Sequence, residues 1–312
     1  MAFVDTVAVE RFEANRDRLA SLAYRLLGSA ADAEDTVQDA YLRWQAADLE
    51  HIEVPEAWLT KVVTNLALDR LRSARARRER AAGDWLPEPL LDGDPMLGPA
   101  DTVEQRESVT LAVLLLMERL GPVERAVYVL REAFSYSHAE VADILDITET
   151  SSQQHVHRAR RRVASERVAG EADRSAARRI VEAFVEAASS GRTERLVELL
   201  TDDATVVSEG VGGKLSRRTG AGPIAANLRA GFKPTPAKRR LVGGSPSIHA
   251  AVVNGTPAMV MALGDRVVGV VALGLRDEKV VNLVGVSSSD RLDRFTEFWR
   301  RAEHDDPLIE QW

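Results

Sequence analysis

Residues 140–163 read EVADILDITETSSQQHVHRARRRV. Val141, Ile144 and Leu145 recur at three and four spacing, as do Val156, Ala159 and Val163, with Ile147 between the two runs. That pattern predicts a helix, a tight turn seated by Ile147, and a second helix. Ser137, with Glu140 three residues on, forms a capping box for the first of them. Once the apolar stripe is removed, Ser151, Ser152, Gln153, Gln154, His157, Arg158, Arg160, Arg161 and Arg162 are left facing mainly outward. Gln can bridge two atoms of adenine and Arg two of guanine, while Ser and trailing arginines suit phosphates. The strip fits the recognition helix of a helix-turn-helix better than a plain solvated surface helix. His155 and His157, two residues apart, point roughly 200° apart on a helix, so no shared metal is expected there.

This strip sits in an acidic chain. The 312 residues carry a formal net charge of -7, unevenly spread. Residues 1–54 hold 11 acidic and 5 basic side chains, 55–80 hold 3 and 7, 81–150 hold 14 and 4, 151–174 hold 3 and 6, and 175–312 hold 17 and 19. Two short basic segments thus lie in an acidic frame. A hydrophobic content of 45% suffices for two or three domains with real cores. The longest apolar stretch, PAMVMALGDRVVGVVALGL, is broken by Asp265 and Arg266, so no membrane span is expected. The first residues lack signal-peptide features, so a cytoplasmic protein is expected. Zero cysteines exclude disulfides and thiolate zinc sites.

Outward from the strip, residues 6–80 read as three amphipathic helices. In PEAWLTKVVTNLALDRLRSARARRER the apolar positions Trp58, Leu59, Val62, Val63, Leu66 and Leu71 form one stripe. Lys61, Asn65, Arg72 and Arg75 fall on roughly the opposite face, and six arginines lie between Arg70 and Arg80. Residues 83–99 have Gly or Pro at seven positions and read as a linker. Its Trp85, Leu86, Leu90, Leu91, Met96 and Leu97 predict that it docks along a surface. TVEQRESVTLAVLLLMERL then reads as one helix, capped by Asp101 or Thr102, followed by PVERAVYVLREAF and the opening pair. After about Arg174, two helices precede strand-like runs ATVVSEG, KLSRRT, KRRLVGG, SIHAAVVNG, AMVMALG, RVVGVVALGL and KVVNLVGVS. The helix AGPIAANLRAGF interrupts them, and DRLDRFTEFWRRA closes an α+β domain.

These residues resemble the extracytoplasmic-function (ECF) sigma factors, the RNA polymerase subunits that select promoters. AYRLLGSAADAEDTVQDAYLRW resembles the segment that binds the polymerase clamp. EAWLTKVVTNLALDRLR resembles the part that melts and reads the minus-ten element, and SYSHAEVADILDITETSSQQHVHRARRRV the minus-thirty-five reader. The resemblance spans residues 6–168. It implies a polymerase-facing helix bearing Asp35, Gln38, Asp39, Leu42 and Trp44, although Trp44 also suits core packing. Promoter contacts are implied at Asn65, Arg70, Arg72 and Arg75 for the minus-ten element. For the minus-thirty-five element they fall on Ser151, Ser152, Gln153, Gln154, His157, Arg158 and Arg161. Asp146 stands where the family usually has Gly, and Asp tolerates the left-handed turn.

Residues 175–312 resemble a SnoaL-like domain of the nuclear-transport-factor-2 superfamily, a cone of curved sheet with helices around a pocket. Sigma factors with this fusion carry WLPEPL in the linker, here residues 85–90, which makes Trp85, Leu86 and Pro87 candidate interdomain contacts. In them the extra domain regulates the sigma factor in place of a separate anti-sigma protein. Two family signatures depart here, reading SEGVGGK and SSSDRL.

The expected architecture is two all-α domains followed by an α+β SnoaL-like, cone-shaped domain. Sigma region 2 occupies 1–81, the Pro/Gly-rich linker 82–100, sigma region 4 with its helix-turn-helix 101–170, and the regulatory domain 171–312. The expected partners are core RNA polymerase, at its clamp and flap, promoter DNA and the chain's own SnoaL-like domain, with room for a small ligand. No cofactor, metal or membrane partner is expected. Two other classes compete: a one-component repressor or activator with a ligand-sensing domain, and a fusion carrying a cyclase or isomerase. Asp202, Asp203, Glu209, His249 and Asp265 are available for such chemistry, but no pair of them can be placed in one pocket from sequence, and catalysis is not expected.

Overall fold

A computed structural model of the chain describes residues 6–80, 85–98, 102–163, 174–209 and 214–312, the side chains of 74–80 and 103 excepted. Two units result. The first comprises Met1–Gly83, Pro95–Val109 and Leu114–Ser165; the second comprises Asp84–Asp94, Thr110–Val113 and Glu166–Trp312.

The first unit is helical. Helices α1 (Thr6–Leu27), α2 (Ala30–Ala46) and α3 (Pro55–Arg80) pack on one another, with a 3-10 turn at Leu49–His51. The Ser29 hydroxyl caps α2 by accepting the Asp32 amide at 3.1 Å. Ala33, Val37, Ala40 and Trp44 are its buried stripe, as Leu59, Val63, Ala67 and Leu71 are for α3. After a 3-10 turn at Pro95–Leu97 come α4 (Val103–Glu107), α5 (Leu111–Met117), α6 (Pro122–Glu132), α7 (His138–Leu145) and α8 (Glu149–Val163).

The single helix expected from Thr102 onward is two. Thr102 and Gln105 form a capping box for α4, but the Ser108 hydroxyl donates to Gln105 O at 2.7 Å, and this local bond closes the helix before α5 begins. Ser137 and Glu140 box the start of α7. Asp146 ends α7 at φ 53°, the left-handed conformation that Asp can adopt.

In the second unit, α9 (Arg174–Ser189) and α10 (Thr193–Leu199) lead into β1 (Leu200–Glu209) and β2 (Leu215–Thr219). Then follow α11 (Ala221–Phe232), α12 (Pro236–Val242), β3 (Ser247–Val253), β4 (Thr256–Leu263), β5 (Arg266–Arg276), β6 (Lys279–Val286) and α13 (Ser289–Arg301). The sheet order is β2-β1-β6-β5-β4-β3, antiparallel except for the β1–β6 pair. Asn254-Gly255 turns β3 into β4 with both residues at positive φ, the geometry that matches strand twist in a two-residue hairpin.

One sheet face packs Ile248, Met259, Leu273 and Leu283 against Val181 and Phe184 of α9, Leu196 of α10 and Ile224 of α11. Strand alternation puts His249 on the other face, where its ring meets Trp299 of α13. The KRRLVGG run, expected as a strand, is helix α12. Thr235 caps it by accepting the Lys238 amide, Pro236 fills the first turn, and Gly243 at φ 90° ends it, so local capping outweighs the β-branched residues.

Candidate nucleic-acid and polymerase interface

Helix α8 buries Ser152, Val156, Ala159 and Val163, a continuous stripe at four, three and four spacing. Ser152, expected outward, is therefore an interior residue: its hydroxyl bonds His138 Nδ1 at 2.9 Å. Its place on the outer surface is corrected by that stripe. Ser151 is half-buried. Gln153, Gln154, His157 and Arg161 are exposed and have no hydrogen-bond or ion-pair partner among the described residues.

The remaining arginines divide. Arg160 donates twice to Glu132 Oε1 of α6, at 3.2 and 2.8 Å, a bond that raises its pKa, and Arg162 bonds Glu124. These two brace α8 on α6. Arg158 is exposed, 2.9 Å from His155 Nδ1 and 3.9 Å from Glu124. Burial first, then the Arg158 charge, lowers the His155 pKa.

On α3, Asn65 is half-buried, and Arg72 is exposed and pairs with Asp69 at 3.1 Å; the Arg75 side chain lies outside the described residues. Arg70 reaches across to α2, 2.8 Å from Asp39, 3.7 Å from Asp32 and 3.8 Å from Asp35. The structure thus joins an expected promoter residue to two expected polymerase residues in one ion cluster. Thirty-one positions separate Arg70 from Asp39, beyond any helical spacing rule. Gln38 and Leu42 are exposed, Leu42 at 56%, while Trp44 is 1% exposed and its indole N–H donates to Ala8 O at 2.9 Å. Trp44 is a core residue, the alternative that stood open for it beside a polymerase contact. Lys61 of α3 holds the α7–α8 turn, donating to Asp143 O at 2.8 Å and Asp146 Oδ1 at 3.0 Å.

Residues 85–94 are built into the second unit. Leu86 and Pro87 are buried and Trp85 half-buried. Arg291 donates to Leu86 O, and the Leu90 amide to Asn254 Oδ1 at 2.8 Å. Asp94, with its side chain 1% exposed, receives two bonds from Arg294 at 2.8 and 2.9 Å. Arg291, Asn254 and Arg294 were missed from sequence; a buried Asn in a tight turn carried the only local signal.

The five side chains considered for catalysis sit in separate networks. Asp202 and Asp265 are exposed. Asp203 bonds Arg276, and Glu209 accepts the Ser288 amide at 3.0 Å. His249 is 7% exposed, with Nδ1 3.2 Å from Asp305 O and Nε2 2.9 Å from Ser247 Oγ. A carbonyl can only accept, so Nδ1 carries the proton and the ring is neutral when Ser247 donates to Nε2. A cavity of about 730 Å³ runs between α12, β5 and α13, lined by Arg266, Asp293, Thr296, Glu297 and Arg300 among others. No group of three or more metal-ligating side chains occurs among the described residues, and no described helix is long and apolar enough to cross a membrane.

Burial, foremost, lowers the His249 pKa; His304 and Arg178 add to this and the bond to Asp305 opposes it. The unfolded chain therefore binds the proton more readily, and stability rises with pH. Unfolding of the second unit should grow easier as pH falls through the ordinary histidine value near 6.5. Chemical denaturation at pH 7.5 and 5.5 checks this: His249→Gln should show a smaller loss between the two than the parent chain.

The Sigma-70 region 2 family matches residues 11–77, and the Sigma-70, region 4 family matches residues 110–163. The chain is 41% identical over 206 residues to the ECF RNA polymerase sigma factor SigJ of Mycobacterium tuberculosis, a match covering 65% of each chain. It is 33% identical over 288 residues to the probable ECF RNA polymerase sigma factor SigI of the same organism, covering 90% of this chain and 93% of that one. The crystal structure of M. tuberculosis SigJ superposes over 92% of this chain and 98% of its own, with a TM-score of 0.68 and 31% identity.

Proposed function

Because this chain belongs to the ECF RNA polymerase sigma factors, which act in transcription initiation with core polymerase at promoter DNA, we propose that α8 is its reader of the minus-thirty-five duplex. The observation that carries this is the division of labour on α8. Arg160 and Arg162 are bound to buried glutamates, while Gln153, Gln154, His157 and Arg161 stand free in the outward row that a major groove requires. Asn65 and Arg72 of α3 are assigned to the minus-ten element, and Gln38 and Leu42 with the acidic side of α2 to the polymerase clamp. Arg70 is assigned to holding Asp35 and Asp39 in place.

Two elements about 25 base pairs apart are separated by roughly 85 Å of duplex at about 3.4 Å per pair. Lys61 and Asp146 are 3.0 Å apart, so the face of α3 must leave the α7–α8 turn before both readers engage. The second unit is assigned control, through its hold on residues 85–94, and not catalysis; the separate networks around Asp203, Glu209 and His249 support that assignment.

Run-off transcription with purified core polymerase over a promoter library tests the reading. Promoter-specific transcripts are expected, and their absence sinks it. Gln153→Ala should weaken the cognate promoter by about 1–3 kcal/mol, roughly 5- to 150-fold, and relax discrimination at one base pair. Ser152→Ala should leave discrimination unchanged and lower the stability of the first unit.

A further inference from the structure

The near balance of charge across 175–312 hides a polarised stretch. Residues 210–240 carry eight basic side chains and no acidic one, in a chain where 48 of 312 residues are acidic. Arg217 and Arg218 are exposed on β2, an edge strand of the sheet. Arg229 is exposed on α11, Lys233 just beyond its end, and Arg239 and Arg240 on α12. None of these six forms an ion pair among the described residues; Arg229 makes only a 3.4 Å bond to Gly191 O.

Lys238 plays a different part. Its ammonium donates to the carbonyls of Ala230, Gly231 and Lys233 and lies over the Trp312 ring. It therefore ties the end of α11 to α12 and makes the two helices one platform.

Successive strand residues point to opposite faces, so one of Arg217 and Arg218 lies on each side of β2; like charges without acidic partners repel one another, and a polyanion relieves that. Three features favour duplex phosphates over another partner. Arginine outnumbers lysine among the six, and its planar fork matches phosphate oxygens. Ser216, Thr219 and Asn227 lie among them, the neutral side chains that accompany arginine on a DNA backbone. Phe232 is half-buried and Leu241 is the exposed large apolar side chain of these elements, so the surface has neither the aromatic platform of a single-strand binder nor the apolar centre of a protein interface. The 12 residues of α11 span about 18 Å, the rise of roughly five base pairs.

We infer that β2, α11 and α12 form a second, sequence-independent contact for the backbone of duplex DNA, beside the element held by α8. Its position on the DNA rests on the reading of α8 as a promoter reader; the phosphate contact itself does not. Ten residues, 164–173, separate α8 from α9, at most about 36 Å of extended chain, so a weak contact becomes intramolecular once α8 is seated.

The test uses the full chain and a 30-base-pair duplex of arbitrary sequence, followed by fluorescence anisotropy from low to physiological salt. The variant Arg217→Gln, Arg218→Gln, Arg239→Gln, Arg240→Gln removes four positive charges from exposed positions, and an unchanged melting temperature confirms that it folds. One of the adjacent Arg217 and Arg218 faces away, so the slope of log K against log salt should fall by about 3, with affinity at low salt reduced at least tenfold. An unchanged slope overturns the inference and leaves the arginines to guard an edge strand. An unchanged slope with weakened core polymerase binding also overturns it, in favour of a protein interface. If the slope falls but the parent chain yields no promoter transcript, the platform stands and the promoter reading fails; transcripts with an unchanged slope give the reverse.

Discussion

Asp94→Ala should destabilise the second unit by about 3 kcal/mol, because it leaves Arg294 facing a nearly closed site without the carboxylate that takes two of its bonds. For a unit of this size that is a fall in melting temperature of about 6–12 °C. The loss should be local before it is global. The Asn254 amide donates to Leu90 O and the Asp92 amide to Val252 O, each at 3.0 Å, and both should lose protection from hydrogen exchange first. Asp94→Asn keeps one acceptor and should retain part of the difference. If residues 85–94 transmit control, transcript yield should change in the same order as exchange at these two amides. A yield unaffected by either variant would separate the linker's structural role from regulation.

Arg25→Ala should destabilise the first unit by about 4 kcal/mol. Arg25 is fully buried, and burial, partly offset by Tyr24, lowers its pKa to about 10. It still carries its charge at neutral pH, and the shift corresponds to roughly 3 kcal/mol against the charged form. Bonds to Ser108 Oγ at 3.0 Å, Gln105 O at 3.2 Å and Ser21 Oγ, with the Phe134 face, offset that penalty. Truncation orphans these partners and opens a cavity. Arg25→Met fills the space without a charge to desolvate and should lose clearly less, so the ordering in urea denaturation discriminates. Equal losses would mean that the orphaned hydrogen-bond partners, and not packing volume, set the cost. Gly98, at φ 67°, belongs to the same node: a Cβ there would overlap the Ser21 side chain.

Much of this was legible in the chain. The α7–α8 pair, its capping box and its left-handed Asp146 follow from spacing and turn chemistry. The interior role of Ser152 was also readable, since counting back four from Val156 lands on it; residue type obscured what position showed. Trp44 likewise continues the series Ala33, Val37, Ala40. The Thr235-Pro236 start of α12 is a local capping signal that the run of Leu241 and Val242 masked. What could not be read is pairing across distance. Arg70 with Asp39, Arg294 with Asp94 and Leu90 with Asn254 join positions 31, 200 and 164 residues apart, and no period links them. Residues 85–94 advertise apolar content but have no repeat, so sequence predicted that they dock without saying where.

The route of that segment has a consequence for solubility. β3 ends the sheet, and its outer backbone groups are taken at one end by Leu90 to Asp92 and at the other by Leu308 and Ile309. A strand left with open donors and acceptors recruits strands from other molecules. A state that lifts residues 85–94 away would therefore uncover a sticky margin as well as free the chain, and a protein kept too long in that state should self-associate through β3.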